Sequence, residues 1–376
     1  MNSVKSAAGV IALSVILPLS ANAGDAGYTV TDLGTLGGTF SQPFATNKSG
    51  VVAGGATLAD GTQHAVLWSS GQATDLGTLG GPNSFAGGVN ANTVASGAAE
   101  NQYSDPNGED FCGFGTHMEC LPFVWQSGTM SALPTLGGNN GTALRNNSSG
   151  VTAGYAETST PDTSCPAPQV LQFEPAVWTG GSVQALPTVG KDKDGIAMGI
   201  NDYNDVVGAS GKCAAFNQNT GLAIQARHAL LWQNGVATDL GNLGGKTGAA
   251  MGNIAWAINN NSQVVGVSDL AGDTTFHAFL WQNDAMSDLG TLSGDVDSVA
   301  ISINDNGVIL GLSIDSNFNT RAVIWKGGRI HDLNKLAQNS PLYLLTGCSI
   351  DKKGAITGLG LTNSGDIHAY LATPIR

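Results

Sequence analysis

Seven times along this 376-residue chain, an Asn or Asp is followed seven residues later by a Gly. The first positions are Asn47, Asn90, Asn147, Asn201, Asn259, Asn304 and Asp351, and the second are Gly54, Gly97, Gly154, Gly208, Gly266, Gly311 and Gly358. Four units carry another Gly three residues after the Asn or Asp, where a tight turn needs positive φ. Short apolar stretches flank each turn, as in β-strands. The pattern predicts seven copies of one β-hairpin.

Two further landmarks recur in register with the hairpin. One is a loop of the DLGTLGG type, intact at Asp32–Gly38 and Asp75–Gly81, and the other is a strand of the HAFLW type, intact at His277–Trp281. Units of 43 to 58 residues with four predicted strands are typical of β-propeller blades. In the sixth unit the strands are predicted at Val299–Ile303, Val308–Ser313, Ala322–Trp325 and Arg329–Leu333.

The two ends of the repeated region complement each other. Tyr28–Leu33 has the pattern of a fourth strand without the three that should precede it, and His368–Leu371 that of a third strand without a fourth. Pairing them removes two exposed sheet edges. The sequence therefore predicts an all-β, seven-bladed β-propeller with four-stranded blades, closed by the N-terminal strand on the C-terminal blade. A β-helix or solenoid is the alternative, but it needs no closing strand.

The first 23 residues have the pattern of a secretory signal peptide. Lys5 precedes an apolar run from Gly9 to Leu19, and Ala21-Asn22-Ala23 provides the small-x-small cleavage pattern. The run is too short for a permanent span, although a single membrane anchor is the alternative. We expect residues 1–23 to be removed, residues 24–376 to form one propeller domain, and the mature protein to be secreted or periplasmic.

The charge balance restricts the possible partners. Without Lys5 the chain has 14 basic and 28 acidic side chains. Such an excess of negative charge repels phosphate backbones and anionic membrane surfaces, so we expect no nucleic-acid partner. No stretch after the signal peptide is long and apolar enough to span a bilayer, so we expect no membrane span. We also expect a monomer.

A cation at the start of the third strand occurs together with an acid eleven residues later. The predicted pairs are His64–Asp75, His228–Asp239, His277–Asp288 and Arg321–Asp332, and closure of the ring adds His368–Asp32. Antiparallel pairing brings such positions together. We interpret them as structural hydrogen bonds that hold the loop after the fourth strand, rather than as catalytic or metal-binding histidines.

Long insertions separate the second and third strands of repeats two, three and four. They cover Ala98–Cys120, Tyr155–Phe173 and Ala209–Arg227, and we expect them to form a polar wall over one side of the axial opening. Loops on a rigid scaffold commonly carry binding sites.

Cysteines in these insertions predict two disulfides in an exported protein. The pairs are Cys112–Cys120 within the first insertion and Cys165–Cys213 between the second and third. Cys348 is predicted to be a buried free thiol.

Several residues are candidates for ligand chemistry. Asp105, Asn107, Glu109 and Asp110 have the alternating oxygen ligands that Ca²⁺ favours, with an exposed acidic loop as the alternative. Arg145 stands where the other repeats have small residues. It binds an anion in the channel or, as we favour, pairs with an acid of the second insertion.

On these motifs the chain resembles the HAF-repeat family of predicted extracellular bacterial repeat proteins. HAVLW, HALLW, HAFLW and DLGTLGG carry the resemblance, which covers essentially all of the mature chain. It implies export and a propeller-like repeat fold, without a defined reaction or ligand.

Two functions remain open, and we favour the first. One is recognition of a glycan or surface protein, with Arg145, Tyr103 and Phe114 as candidate contacts. The other is a carbohydrate-active enzyme, a lyase or hydrolase, using Tyr103, Asp110, His117 and Arg145. The sequence contains no GxSxG, HExxH, P-loop or dinucleotide-binding motif.

Overall fold

The computed structural model describes residues 27–217 and 222–375, and these are almost entirely β-strands and turns. One short helix, α1 (Leu333–Leu336), interrupts them. Within these residues, no helix is long and apolar enough to cross a membrane. The predicted signal peptide at residues 1–23 lies outside the described residues.

Five sheets each contain four consecutive antiparallel strands, one sheet for each of repeats two to six. Their strands are β6 (Gly80–Val89), β7 (Ala95–Ser104), β8 (Met118–Gln126) and β9 (Thr129–Ala132); β10 (Gly137–Asn146), β11 (Thr152–Pro161), β12 (Leu171–Thr179) and β13 (Ser182–Ala185); β14 (Asp194–Ile200), β15 (Val206–Asn217), β16 (Leu222–Gln233) and β17 (Val236–Asp239); β18 (Ile254–Ile258), β19 (Val264–Asp269), β20 (Phe276–Gln282) and β21 (Ala285–Asp288); and β22 (Asp295–Ile303), β23 (Ile309–Asp315), β24 (Thr320–Lys326) and β25 (Arg329–Asp332).

The remaining strands form one sheet of nine. They are β1 (Tyr28–Asp32), β2 (Gly37–Thr46), β3 (Val52–Leu58), β4 (Gln63–Ser69), β5 (Gln72–Gly77), β26 (Tyr343–Leu344), β27 (Ser349–Ile350), β28 (Ile356–Leu361) and β29 (Ile367–Pro374). A single parallel bridge, Phe40 to Ile367, joins repeat one to repeat seven. β1 pairs antiparallel with β29 from Tyr28 opposite Pro374 to Asp32 opposite Tyr370. The N-terminal strand therefore contacts the C-terminal one.

The Gly that follows seven residues after each landmark Asn or Asp is required by sterics. A Cβ there would lie only 1.9–2.1 Å from a carbonyl oxygen of the neighbouring first strand, because that strand comes too close for any side chain. The glycines are Gly54, Gly97, Gly154, Gly208, Gly266, Gly311 and Gly358. In repeats one to six the register slips by one residue next to this contact, so a β-bulge recurs there. The Asn/Asp–Gly spacing in the sequence therefore marks the position of the bulge.

The core lies between neighbouring sheets. Trp178 and Trp232, on the third strands of repeats three and four, are almost completely buried. Their indole nitrogens donate to the carbonyl oxygens of Pro134 and Pro187, both at 2.7 Å, in the loops that precede each repeat. In these two repeats the aromatic landmark therefore ties the third strand to the loop that enters its own repeat.

Candidate functional site

The three insertions are long β-hairpins, which corrects the prediction of loops. The inserted residues extend the antiparallel pairing of the second and third strands. β15 pairs with β16 as far as Asn217 opposite Leu222, and β11 pairs with β12 as far as Pro161 opposite Leu171. Irregular connections remain at 105–117 and 162–170, and the tip at 218–221 lies outside the described residues. The hairpins extend the rigid scaffold.

Both predicted disulfides are confirmed. Cys112–Cys120 closes a loop inside the first insertion, and Cys165–Cys213 links the second insertion to the third. Cys348 has a free thiol, but it is half-buried rather than fully buried. Burial in the protein raises the pKa of this thiol.

The insertions pack on an aromatic core. Phe111, Tyr155 and Phe173 have ring centroids 5.4 to 6.3 Å apart, and they come from two different repeats. Burial raises the pKa of Tyr155 to about 12. The predicted polar wall therefore has an apolar interior, which holds its hairpins in fixed positions.

Three buried carboxylates meet beneath the first and second insertions. Asp105, Glu109 and Glu157 offer carboxylate oxygens that all lie within 4.8 Å of one another. One Glu109 oxygen accepts hydrogen bonds from the backbone nitrogens of Val170 (2.6 Å) and Leu171 (2.7 Å). These bonds join the two hairpins, because Glu109 lies on the first and its donors on the second.

Glu157 is the most perturbed member of this carboxylate cluster. It accepts hydrogen bonds from the backbone nitrogen of Asn140 at 3.0 Å and from the Gln169 amide at 2.8 Å. Burial, followed by the charges of Glu109 and Asp105, raises its pKa to about 8. With this pKa we expect Glu157 to hold a proton at neutral pH, which would remove one charge from the cluster.

The predicted calcium loop is only partly assembled. Asp105 and Glu109 are together, but the Asn107 amide nitrogen donates to Glu109 at 3.1 Å. The Asp110 carboxylate instead accepts from the backbone nitrogen of Gly115, 3.0 Å away. Glu157 was missed because it belongs to the next repeat, and no local spacing links it to Asp105. Calcium binding stays a prediction, which a calcium titration of the melting temperature tests.

The other candidates of the first insertion lie at its surface. Tyr103 is 59% exposed, and its hydroxyl accepts a hydrogen bond from Gln102. His117 is exposed, with Nδ1 2.8 Å from the Gly108 carbonyl oxygen. Phe114 is half-buried beside Phe85.

Arg145 lies at the opposite end of its strand. It is opposite Ala153, next to the turn between β10 and β11, and roughly 26 Å of strand separates it from Gly137 at the insertion end. Its guanidinium donates to the carbonyl oxygens of Gly87, Leu144 and, at 3.1 Å, Phe44. The prediction that Arg145 pairs with an acid of the second insertion is wrong.

Burial lowers the pKa of Arg145 to about 10, so it remains a cation. Three backbone carbonyls from three repeats surround it, and no acid in the described residues pairs with it. The structure therefore does not bring Arg145 to Tyr103, Asp110 and His117, as the enzyme hypothesis required.

Three of the predicted His–Asp pairs are in hydrogen-bond contact. The shortest Nδ1–carboxylate distances are 2.9 Å for His64–Asp75, 2.8 Å for His277–Asp288 and 2.9 Å for His368–Asp32. Each of these carboxylates also accepts from the backbone nitrogen of the Gly two residues later. The histidine and the loop are thus held by one carboxylate.

Two predicted pairs need correction, because a more buried acid just before or at the start of the first strand of the same repeat comes closer. His228 Nδ1 lies 2.7 Å from Asp192, whereas Asp239 is 4.0 Å from its other ring nitrogen. Arg321 pairs with Asp295 and not with Asp332. Asp332 instead caps α1 by accepting from the backbone nitrogen of residue 334.

No family model matches the sequence, and no curated protein matches it. Among solved structures, the chain is similar to the β-propeller domain of the Trilobed protease from Pyrococcus furiosus, with a TM-score of 0.51 and 9% identity over 92% of this chain and 93% of that chain. This chain is a β-propeller.

Two other propeller-sized structures are similar at lower scores. They are the WD40 β-propeller domain of Doa1 (TM-score 0.40, 15% identity, 91% of this chain and 96% of that chain) and an ulvan lyase, a polysaccharide lyase (0.44, 10%, 92% and 93%). At such identities the likeness concerns the fold alone, so the function must be argued from this propeller's own residues.

The landmark asparagines connect neighbouring repeats of the propeller. The side-chain amide of each one donates to the backbone carbonyl of the next landmark residue, at 3.0–3.3 Å, in six consecutive steps from Asn47 to Asp351. The amide oxygen meanwhile accepts from the turn of its own repeat. The sequence pattern located these residues but gave no sign of the bond between repeats.

Asp351 breaks this series, because a carboxylate has no N–H to donate to Asn47. Its Oδ1 holds its own turn as the asparagines do, accepting from the backbone nitrogens of Lys353 and Ala355 at 2.8 Å. We therefore expect Asp351→Asn to add one hydrogen bond, from the new amide to the backbone carbonyl of Asn47.

We expect Asp351→Asn to raise the free energy of unfolding by about 1 kcal/mol, measured by urea denaturation. The matched reverse change, Asn304→Asp, should lower it by a similar amount, because it removes one existing amide donor. Equal stabilities of both variants and the wild type would contradict this role of the asparagines.

Proposed function

We propose that the chain is a seven-bladed propeller closed by the pairing of β1 with β29. Turns from all seven repeats line one depression of about 510 Å³, which supports a ring of seven. The hydrogen bonds from Asn47 to Asp351 pass through the repeats in order, as neighbouring blades require. On this proposal the nine-stranded sheet is two neighbouring blades joined by one bridge.

We also propose export to an oxidising compartment and membership of the HAF-repeat proteins. Two disulfides support export, because they persist outside the cytosol and are rare inside it. The repeated loops and strands quoted above support the family.

The proposed activity is binding of a glycan or a surface protein by the three insertions. The observation that carries this proposal is the combination of a rigid platform with an exposed aromatic. Cys165–Cys213 and the Glu109 hydrogen bonds hold the hairpins together, while Tyr103 is presented to solvent. Such anchors lose little conformational entropy when a ligand binds.

Binding is favoured over catalysis by where the perturbed groups lie. Glu157 has the strongly raised pKa expected of a catalytic acid, but it is fully buried. The cavity beside its partner Gln169 is about 10 Å³, which is room for a water molecule and not for a sugar. We therefore assign Glu157 to the structure of the insertions.

A polysaccharide and protein array with the purified mature chain tests this proposal. Tyr103→Ala should weaken binding about tenfold or more. Tyr203→Ala is the matched control, because Tyr203 is 69% exposed on a turn between first and second strands. Product formation that is lost in His117→Ala or Asp110→Ala would contradict a binding role.

A further inference from the structure

Three repeats share one type of turn between their second and third strands. In each, the first residue pairs with the fifth and accepts a hydrogen bond from the fourth: Leu58–Thr62 in repeat one, Asp315–Asn319 in repeat six and Thr362–Asp366 in repeat seven. The fourth residue has positive φ in all three. Repeats one and seven have Gly61 (φ 89°) and Gly365 (φ 94°), but repeat six has Phe318 (φ 63°).

Phe318 costs stability and gains none within the chain. A bulky L-residue in the left-handed region is strained, whereas Gly adopts it freely. The side chain is 84% exposed, so burial does not offset this cost. Asp315 holds the turn rigidly by accepting from the backbone nitrogens of Asn317 (2.8 Å) and Asn319 (3.0 Å). A rigid turn therefore presents an aromatic ring to solvent.

The ring borders a groove of about 470 Å³ between repeats six and seven. Tyr343, which is 46% exposed, and Leu361, which is 38% exposed, line the same groove. Asn319 and Arg321 add polar groups between these apolar surfaces. The groove lies at the second-to-third-strand end of the propeller, as the insertions do, but in different repeats.

The charges in and beside the groove disfavour an anionic ligand. The Arg321 guanidinium is already paired with Asp295, which is fully buried. The Tyr343 hydroxyl has a raised pKa, mainly from burial and then from the charge of Asp332. With Asp315 at the rim, the groove has more negative than positive charge. A neutral ligand with hydroxyl groups fits it best.

We propose that this groove binds a neutral sugar unit of a glycan, stacked on Phe318 and hydrogen-bonded by Asn319 and Asp315. The C–H face of a pyranose packs well on an exposed ring, and its hydroxyls match amide and carboxylate groups. The proposal rests on the binding role above but names a separate site, on repeats six and seven.

Binding to immobilised neutral polysaccharides (β-glucan, galactan, mannan) and anionic ones (alginate, polygalacturonate) tests the proposal with the full mature chain. We expect binding to at least one neutral glycan and at least tenfold weaker affinity in Phe318→Gly. The melting temperature of this variant should be unchanged or higher, because Gly occupies the same position in two other repeats. If Phe318 had a structural role, the melting temperature of Phe318→Gly would instead be lower than that of the wild type.

Tyr103→Ala separates this proposal from the proposed function. If Tyr103→Ala loses glycan binding and Phe318→Gly keeps it, the insertions bind and the groove does not, which overturns this inference alone. Absence of neutral-glycan binding by the wild type, or preference for the anionic polymers, also overturns it. The inference is also overturned if Phe318→Gly loses the binding of a protein partner and not the binding of a sugar.

Discussion

We expect the free energy of unfolding to fall by a few kcal/mol as the pH rises from about 4.5 to about 8. Glu157 has a pKa of 4.5 when it is free and about 8 in the folded protein. Between these values the unfolded chain releases the proton and the folded chain keeps it, so unfolding becomes easier with each unit of pH. One unit of pKa difference is worth about 1.4 kcal/mol. Urea denaturation at intervals across this range measures the slope.

Asp194 adds to the same slope over a lower range. Burial raises its pKa from 3.8 to about 6, so its contribution is lost between these two values. Carboxylates with lowered pKa values, such as Asp202 and Asp162, act in the opposite direction and only below about pH 4. The loss above pH 6 therefore reports mainly on Glu157.

Glu157→Gln should remove most of this slope above pH 6. A Gln side chain keeps an oxygen for the Asn140 hydrogen bonds and has no proton to lose. Glu119→Gln, on the same platform, is the control and should keep the wild-type slope. An unchanged slope in Glu157→Gln would contradict the assignment.

Calcium provides a second readout of the carboxylate cluster. If Ca²⁺ raises the melting temperature of the wild type at pH 8 but not that of Glu157→Gln, a cation rather than a proton balances the three carboxylates. That outcome would support the calcium prediction and contradict the proton interpretation.

Loss of the two disulfides should destabilise the protein unequally. Cys165 and Cys213 are 48 residues apart, whereas Cys112 and Cys120 are separated by 8. A disulfide that closes a longer loop removes more entropy from the unfolded chain. Replacing Cys165 and Cys213 with Ser should therefore cost about 4 kcal/mol, whereas replacing Cys112 and Cys120 with Ser should cost about 2.5 kcal/mol. Urea denaturation of the two double variants measures both costs.

Reduction provides the control for this prediction. Dithiothreitol should lower the stability of the wild type to that of the variant without either disulfide, and leave that variant unaffected. Cys348→Ser should respond to dithiothreitol as the wild type does, because the Cys348 thiol is free. Equal losses in the two double variants would contradict the loop-length argument.

Features that depend on one repeat were predictable because the chain repeats them. The seven Asn/Asp–Gly spacings, the third-strand aromatics and the complementary chain ends led to an all-β propeller. Both disulfides were predicted from the expected export and from the four cysteines that lie in the insertions. His64, His277 and His368 meet acids on adjacent strands, where antiparallel register alone sets the distance.

Apart from the Cys165–Cys213 disulfide, the contacts between repeats were not predicted. Within repeat six, Arg321 is nearer in sequence to Asp332, but the buried carboxylate of Asp295, the first residue of β22, lies against it instead. Glu157 joins Asp105 and Glu109 from another repeat, and Arg145 finds carbonyls where an acid was expected. The contacts of Glu157 and Arg145 depend on how neighbouring sheets are positioned, which no residue spacing encodes.

By itself, the sequence determined the strand order, the turns and the positions where only Gly fits, because these follow from period-two patterns and local backbone sterics. Only the tertiary structure decided which buried charges meet, which pKa values shift and which aromatic rings reach solvent. Those properties depend on desolvation and on distances between side chains far apart in the chain, so they arise only once the sheets have packed.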